Sequence, residues 1–285
     1  MPCDKLVLRN HRIRSRFLDL AQQKGHRETG YSHVIDLSRI SRELPVILYS
    51  GCYYSGDNKI VFRDVAHLGY TRCKEIAAEI FHGADWSRVM RVDWCLDVGI
   101  PLRDLALYCR LGGVQRCTTE RSRTGTTYYL QRSDTRTLFL YDKRAQLEAR
   151  KHPILREYII RDPWTRIEIQ FKSNLPFRRF DHLGRYAELD LLANLSIWDA
   201  GLKREGLKPI EELAAEGLLR KIDEVGLQVA LKQYSSQTAA YLMKRFFQPA
   251  PESKFPDLNG WMRRSVQDWL DDRIRFPRFP RRGLL

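Results

Sequence analysis

Two short stretches of this sequence place carboxylates and arginines at alternate positions. One face of the stretch 166–172 would present Arg166, Glu168, Gln170 and Lys172. One face of the stretch 91–97 would present Arg91, Asp93, Cys95 and Asp97. Alternation with period two is typical of a half-buried β-strand. Two such strands lying side by side would gather carboxylates into one patch, and carboxylates are the ligands that Mg²⁺ and Mn²⁺ prefer.

The predicted metal ligands are Asp93 and Glu168, with Asp97 in reserve. A divalent ion held in this way is a Lewis acid for a scissile phosphate. Arg91 and Arg166 would either hold flanking phosphates or keep the acids ionised. The alternative is structural, with cross-strand salt bridges from Arg91 to Glu168 and from Arg166 to Asp93. Spacing alone does not separate these two interpretations.

Tyrosine is the candidate nucleophile, because a phosphotyrosyl intermediate conserves the energy of a cleaved phosphodiester for rejoining. Tyr234 and Tyr241 are seven residues apart on a predicted helix and therefore share a face. Tyr186 closely follows the stretch 166–172. Tyr141 and Lys143 end a predicted strand on one face, from which the lysine reaches a phosphate; an ordinary polar strand end is the alternative. The sequence does not choose among its thirteen tyrosines, and a core position is the alternative for each.

The charge of the chain is its strongest global signal. The sequence has 285 residues, 49 Lys and Arg against 35 Asp and Glu, and a net charge of +14. Such an excess favours a polyanionic partner, with nucleic acid ahead of a membrane surface. The alternative is a basic protein with no such partner. A hydrophobic content of 43% is enough for a core in one large domain or two small ones.

Several other chemistries are excluded by missing motifs. The six cysteines form no C-x-x-C pair and the histidines no close pair, so a zinc site is not expected. The sequence has no P-loop, dinucleotide-binding or G-x-S-x-G motif. It has neither a signal-peptide pattern nor a run of about 18 apolar residues. We therefore expect a cytoplasmic protein with reduced cysteines.

The pattern along the chain predicts an α+β fold, with an antiparallel sheet, helices packed on one face and a helical C-terminal part. The expected domains are a basic N-terminal arm and start of the fold (1–50), a central α+β part that carries the expected catalytic residues (51–200), and a helical region with an Arg/Pro tail (201–285). The predicted elements are hairpins at 51–62 and 126–143, strands at 91–98 and 164–172, and a linker at 248–255. Helices are predicted at 14–23, 71–81, 101–111, 210–219, 222–248 and 258–273, and the helix at 222–248 is expected to be broken or kinked near Gly226. The second hairpin carries Arg132 and Arg136 among aromatic residues, which suits contact with a DNA backbone and stacked bases; the alternative buries the aromatics in the core.

Four motifs occur in an order that resembles the replication initiation factor family of rolling-circle initiators, found in small plasmids and filamentous-type phages. The motifs are Arg91-Val-Asp93 with Asp97, Thr126-Thr-Tyr-Tyr-Leu130, Leu138-Phe-Leu-Tyr-Asp-Lys143 and Arg166-Ile-Glu168-Ile-Gln170. The resemblance covers about residues 50–175 and implies a fold related to the HUH endonucleases. The chain lacks a His-hydrophobe-His motif, as does the family, in which carboxylates serve as ligands.

The resemblance implies a metal-dependent enzyme that nicks and rejoins one strand at a replication origin. By it, Asp93 and Glu168 would bind Mg²⁺ or Mn²⁺, and Tyr141 and Lys143 would line the site. The nucleophile would lie on a later helix, which suits Tyr234, with Tyr241 and Tyr186 behind it. Arg91, Arg166, Lys172, Arg132 and Arg136 would contact DNA. The expected partners are single-stranded or hairpin origin DNA, a host helicase and a second copy of the chain. The alternatives are a DNA-binding regulator without catalysis and a single-strand-binding or RNA-processing protein.

Overall fold

The structure is a computed structural model that describes residues 3–63, 65–111, 117–123, 125–149, 151, 163–172, 175–193, 195–199, 206–249 and 257–273. The described residues fold into a mixed α and β structure with an antiparallel sheet and C-terminal helices, which confirms the predicted fold class. In this part of the chain, no helix has the length and apolar character needed to cross a membrane.

Ten strands of the described chain form one sheet, in the order β2-β3-β4-β5-β1-β6-β11-β10-β9-β8. These strands are β1 (Cys3–Asn10), β2 (His26–Glu28), β3 (Tyr31–Asp36), β4 (Val46–Cys52), β5 (Asn58–Phe62), β6 (Arg88–Val98), β8 (Thr118–Ser122), β9 (Gly125–Arg132), β10 (Arg136–Asp142) and β11 (Thr165–Phe171). A second sheet has the order β13-β12-β7 and consists of β7 (Cys109–Leu111), β12 (Leu195–Asp199) and β13 (Gln248–Pro249).

The helices of the described chain are α1 (Ser15–Lys24), α2 (Val65–Ile80), α3 (Leu102–Tyr108), α4 (Lys143–Ala149), α5 (Pro209–Val225), α6 (Leu227–Leu231), α7 (Ser236–Phe246) and α8 (Leu258–Leu270). Short 3₁₀ segments lie at Leu37–Arg39, Ala84–Trp86 and Phe180–Glu188. The chain divides into two compact units, and the division falls within β6, β11 and α8.

Unit 1 comprises the described residues within 1–95, 170–191 and 262–277. Its strand β1 pairs antiparallel with both β5 and β6, and Leu6 and Leu8 are fully buried. The prediction of an irregular basic arm is therefore wrong for Cys3–Asn10. The apolar run at its centre decides the structure, while Lys5 and Arg9 stay partly exposed beside it.

An aromatic cluster fills the core of unit 1. The ring of Trp94 lies 5.6 Å from the ring of Tyr186 and 5.5 Å from that of Trp269. Trp269, on α8, donates a hydrogen bond from its indole nitrogen to the carbonyl of Val65, 3.1 Å away. This bond satisfies the polar atom of a fully buried ring, as is usual for buried tryptophan.

Unit 2 comprises the described residues within 96–169 and 192–261. It contains the β8–β9–β10 meander, which confirms the predicted second hairpin, and a helical cluster built by α5, α6 and α7. Leu218, Leu227 and Phe246 are buried in that cluster. Glu211 accepts a hydrogen bond from the backbone N–H of Lys208, 2.9 Å away, and this capping contact begins α5.

The C-terminal helices depart from the sequence prediction at one position that matters for the site. The helix predicted over 222–248 is broken at Gly226, where a break or kink was predicted, and it is interrupted a second time between Leu231 and Ser236, which was not predicted. Tyr234 lies in the second break, so it does not share a helix face with Tyr241. Most of the predicted linker and the whole Arg/Pro tail lie outside the described residues.

Candidate functional site

The acid of the Arg166–Lys172 stretch meets a tyrosine of the neighbouring strand. Glu168 lies on β11 and Tyr141 on β10, and the Tyr141 hydroxyl donates to the Glu168 carboxylate at 2.9 Å. Both residues are buried, with exposed fractions of 4% and 5%. A buried carboxylate is stable only when hydrogen bonds replace its water, and Tyr141 supplies one of them.

Lys143 joins the same group from the first turn of α4, directly after β10. It is buried, and its ammonium nitrogen lies 5.8 Å from the centre of the Tyr141 ring. The ammonium also donates to the side-chain oxygen of Gln146 at 3.0 Å. Tyr141 is thus in contact with both Lys143 and Glu168, and the three form a buried polar cluster in unit 2.

Asp97 and Arg166 form a second buried pair in unit 2. The guanidinium of Arg166 donates to the two carboxylate oxygens of Asp97 at 2.7 and 2.9 Å, a bidentate geometry. Burial acts to raise the pKa of Asp97, but the charge and hydrogen bonds of Arg166 help to hold it below its ordinary value. Asp97 is therefore ionised and committed to an arginine, which makes it a poor metal ligand.

Arg91 and Asp93 form an ion pair in unit 1, two residues apart on β6. The Nε atom of Arg91 lies 2.8 and 3.0 Å from the two carboxylate oxygens of Asp93. Burial of Asp93 nevertheless raises the pKa of its carboxyl group, because it outweighs the charge of Arg91. The side chain of Arg91 is 28% exposed, so water screens part of its charge.

A cluster of metal ligands is not visible in the described part of the chain. No group of three or more His, Cys, Asp and Glu residues is placed there to hold an ion. Each predicted ligand instead contacts a protein group: Asp93 contacts Arg91, Asp97 contacts Arg166, and Glu168 contacts Tyr141. A divalent ion at Asp93 or Glu168 would have to compete with these contacts.

The candidate nucleophiles differ sharply in exposure. Tyr186 is fully buried against the rings of Trp94 and Phe177, and burial raises its pKa, so its hydroxyl is unsuited to attack on DNA. Tyr234 and Tyr241 have exposed fractions of 36% and 56%. Exposure therefore favours Tyr234 and Tyr241 over the buried tyrosines.

Tyr241 has polar neighbours that the sequence analysis did not identify. Its hydroxyl donates to Glu211 at 3.3 Å, and Arg245 donates to the same carboxylate from Nη2 at 3.0 Å. The hydrogen bond from Arg245 is the largest cause that lowers the pKa of Glu211 to about 2. The spacing of Tyr241 and Arg245, one turn apart on α7, was the only available signal, and it gave no hint of Glu211 on α5.

The cations predicted to bind DNA also differ in how exposed they are to solvent. Arg132 is exposed, pairs with Glu120 and lies over the ring of Tyr129 at 4.9 Å. Lys172 is exposed at the end of β11. Arg136 is partly buried, and burial lowers its pKa. Arg166 is fully buried against Asp97, so among these residues Arg132 and Lys172 are the best placed to reach a phosphate.

No protein-family model matches the chain, and no curated protein is significantly similar to it.

Proposed function

We propose that the chain is a rolling-circle replication initiator that nicks and rejoins one strand of origin DNA. The observation that carries this proposal is the hydrogen bond of 2.9 Å between Tyr141 and Glu168. It joins two motifs of the resemblance, those at 138–143 and 166–170, which are more than twenty residues apart in the chain. Their meeting at one buried carboxylate is what a shared site requires, and Lys143 adds a cation to it.

The charge of the chain supports a DNA partner. A net charge of +14 provides the attraction, and exposed cations such as Arg132 provide contacts to phosphates. The position of Arg132 over the Tyr129 ring resembles the pairing of cations and aromatic rings on surfaces that bind single strands. Origin DNA is the proposed partner, a host helicase and a second copy of the chain are further proposed partners, and the cytoplasm is the proposed compartment.

Tyr241 is the tyrosine that we assign as the nucleophile. Its hydroxyl oxygen would form a bond to phosphorus, and the bond from phosphorus to the 3′ oxygen of the preceding nucleotide would break. The hydroxyl proton would pass to water, and the released 3′ oxygen would take up a proton from water. Glu211, whose pKa is lowered to about 2, would orient the hydroxyl by accepting its hydrogen bond rather than act as the base. Arg245 contacts that carboxylate and could move to the developing charge on the phosphate.

Asp93 and Glu168 are the proposed ligands of Mg²⁺ or Mn²⁺. A bound ion of this kind polarises a phosphate without proton transfer. Asp97 is not proposed as a ligand, because both of its oxygens accept hydrogen bonds from Arg166. Lys143 would remain a positioning residue, since its side chain contacts Tyr141 and Gln146.

The test is cleavage of labelled single-stranded and hairpin DNA from the replicon that encodes the chain, with Mn²⁺ present. We expect a nick and a covalent protein–DNA adduct, and mass spectrometry of the attached peptide should identify Tyr241. Tyr241→Phe should abolish the adduct, while Tyr234→Phe should retain it. If no adduct forms on any of these DNAs, the catalytic proposal is lost.

A second candidate function is sequence-specific DNA binding without catalysis. The pairing of Asp93 with Arg91 and of Asp97 with Arg166 favours it, because salt bridges account for these acids without a metal. Asp93→Asn and Glu168→Gln separate the two functions. An enzyme should lose cleavage and retain DNA binding, whereas a non-catalytic regulator should show either no effect or loss of folding.

A further inference from the structure

A cleft of about 350 Å³ lies in unit 1, and its lining includes none of the residues of the proposed chemistry. Its wall includes the end of α1, strands β2 to β4, the turn after β3 and the residue that follows β5. A volume of this order is at the small end of the range for small-molecule sites, which begins at about 300 Å³. The cleft is therefore large enough for one small ligand.

Cations surround the cleft. Lys24, Arg39 and Arg63 line it, against the two carboxylates Glu28 and Asp36. Asp36 organises the arginines, because its Oδ2 atom lies 2.9 Å from Arg63 and 3.3 Å from Arg39. Each guanidinium has five N–H donors, and one carboxylate oxygen cannot use them all. The arginines are therefore held in place with donors left for an anion.

Apolar side chains also line this cleft. Ile40, Ile47 and Tyr49 line it, and Ile40 is 48% exposed, which is high for a large aliphatic side chain. The Tyr49 ring is fixed in place, because the ammonium of Lys59 lies 3.8 Å from its centre and the Tyr31 ring meets it edge-on at 5.3 Å. A preformed apolar wall that includes an aromatic ring suits a flat ligand.

We propose that this cleft binds one nucleotide, with the base against Tyr49 and Ile47 and the phosphate on Arg39 and Arg63. A flat apolar group beside an anion is the chemistry that the wall matches. The nucleotide is either a free mononucleotide or one unit of a single DNA strand. The proposal does not depend on strand cleavage, since it uses none of the tyrosines or carboxylates assigned above.

The test measures binding of two probes, a fluorescein-labelled oligothymidylate by anisotropy and thymidine monophosphate by calorimetry. Arg39→Ala, Arg63→Ala and Tyr49→Leu should each weaken binding about tenfold, the size of one lost charged contact or one lost stacked base. Arg220→Ala is the matched control, because Arg220 is an exposed arginine on α5 and does not line the cleft. It should bind within about twofold of the wild type.

The two probes distinguish the sources of the nucleotide. Binding of thymidine monophosphate that is lost in the cleft variants identifies a mononucleotide site. Loss confined to the oligothymidylate identifies a unit of a strand. The proposal is overturned if the cleft variants bind both probes like the wild type, or if Arg220→Ala weakens binding as much as they do.

Two further measurements, the thermal midpoint and adduct formation, separate a loss of nucleotide binding from a loss of folding or of catalysis. Arg39 is 84% exposed, so Arg39→Ala should keep the thermal midpoint of the wild type even if Tyr49→Leu does not. Nucleotide binding without a Tyr241 adduct would support the cleft and reject the nickase. A normal adduct in cleft variants that bind both probes like the wild type would support the nickase and reject the nucleotide cleft.

Discussion

Asp93 and Asp97 lie on one strand, each next to an arginine, and their pKa values move in opposite directions. Burial raises the pKa of Asp93 beyond what Arg91 offsets. Asp97 is buried too, yet its pKa is lowered, and Arg166 is the strongest side-chain contribution to that change. The arginines account for part of the difference: Arg166 is fully buried, while water reaches Arg91 and weakens its field.

The buried Asp97–Arg166 pair should be important for stability. Asp97→Asn removes the negative charge that pairs with the buried guanidinium of Arg166, at a cost of about 3–5 kcal/mol. Urea unfolding followed by circular dichroism measures this. Asp223→Asn is the matched control, because Asp223 pairs with Arg103 at the surface of the same unit. It should cost less than about 1 kcal/mol, and equal losses in the two variants would contradict the prediction.

Replacing the two aspartates should change the pH dependence of stability in opposite directions. A lowered folded-state pKa contributes stability above the ordinary aspartate value and loses it on acidification, so Asp97→Asn should flatten the loss of stability between about pH 5 and pH 3. A raised folded-state pKa contributes stability at low pH that is lost as pH rises, so Asp93→Asn should steepen the same loss. Urea midpoints across this range measure both slopes, and parallel slopes in the two variants would contradict the assignment.

At the level of elements, local pattern predicted the strands that carry the site. Period-two alternation located β11 to within about two residues. A Thr- and Tyr-rich stretch followed by a polar turn located the hairpin of β9 and β10 equally closely. The same reasoning missed β1, because Lys5 and Arg9 gave it the composition of an arm although Leu6 and Leu8 are core residues. The partners of β1 on β5 and β6 are distant in sequence, so local composition did not reveal the pairing that its apolar centre makes possible.

The contacts of the candidate site were less predictable than its strands. Alternation placed Glu168 on one face of a strand, but it could not identify Tyr141 as its hydrogen-bond donor, since that requires the order of strands in the sheet. The pairing of Glu211 with Tyr241 likewise depends on the chain reversal between α5 and α7. Long-range neighbours of this kind leave no periodic signal in the sequence.

The break between α5 and α6 makes a prediction about one glycine. Gly226 has φ 83° and ψ 159°, a conformation that residues with a side chain adopt only with strain. Gly226→Ala should destabilise the chain by about 1–3 kcal/mol. Gly217 lies inside α5 with helical geometry and open space around it, so Gly217→Ala should stabilise by up to about 1 kcal/mol.

The pair of glycine variants has an internal control, because the two substitutions are chemically identical and lie nine residues apart. Thermal unfolding of both variants measures the difference directly. If Gly226→Ala were as stable as Gly217→Ala, the chain would not need the left-handed backbone at residue 226. The separation of α5 from α6, on which the position of α7 and Tyr241 depends, would then have another cause.

At the scale of the whole molecule, the charge of +14 should make the proposed DNA binding sensitive to salt. Each phosphate contact by a cation releases condensed counterions, so the affinity falls linearly with salt on logarithmic axes. Replacing one cation that contacts a phosphate should lower the steepness of that line by about one and weaken all DNA sequences equally. Arg132 is the cation chosen for this test, since it is exposed and lies over the Tyr129 ring.

Arg132→Ala should therefore lower the salt slope of single-strand binding, measured by fluorescence anisotropy over a series of salt concentrations. Arg264→Ala provides the comparison, because Arg264 is an exposed arginine on α8 and its loss changes the net charge equally. A change in slope confined to Arg132→Ala would mean that the basic hairpin contacts DNA directly. The same change in both variants would mean that attraction comes from the total charge, and Arg132 would lose its role as a DNA contact.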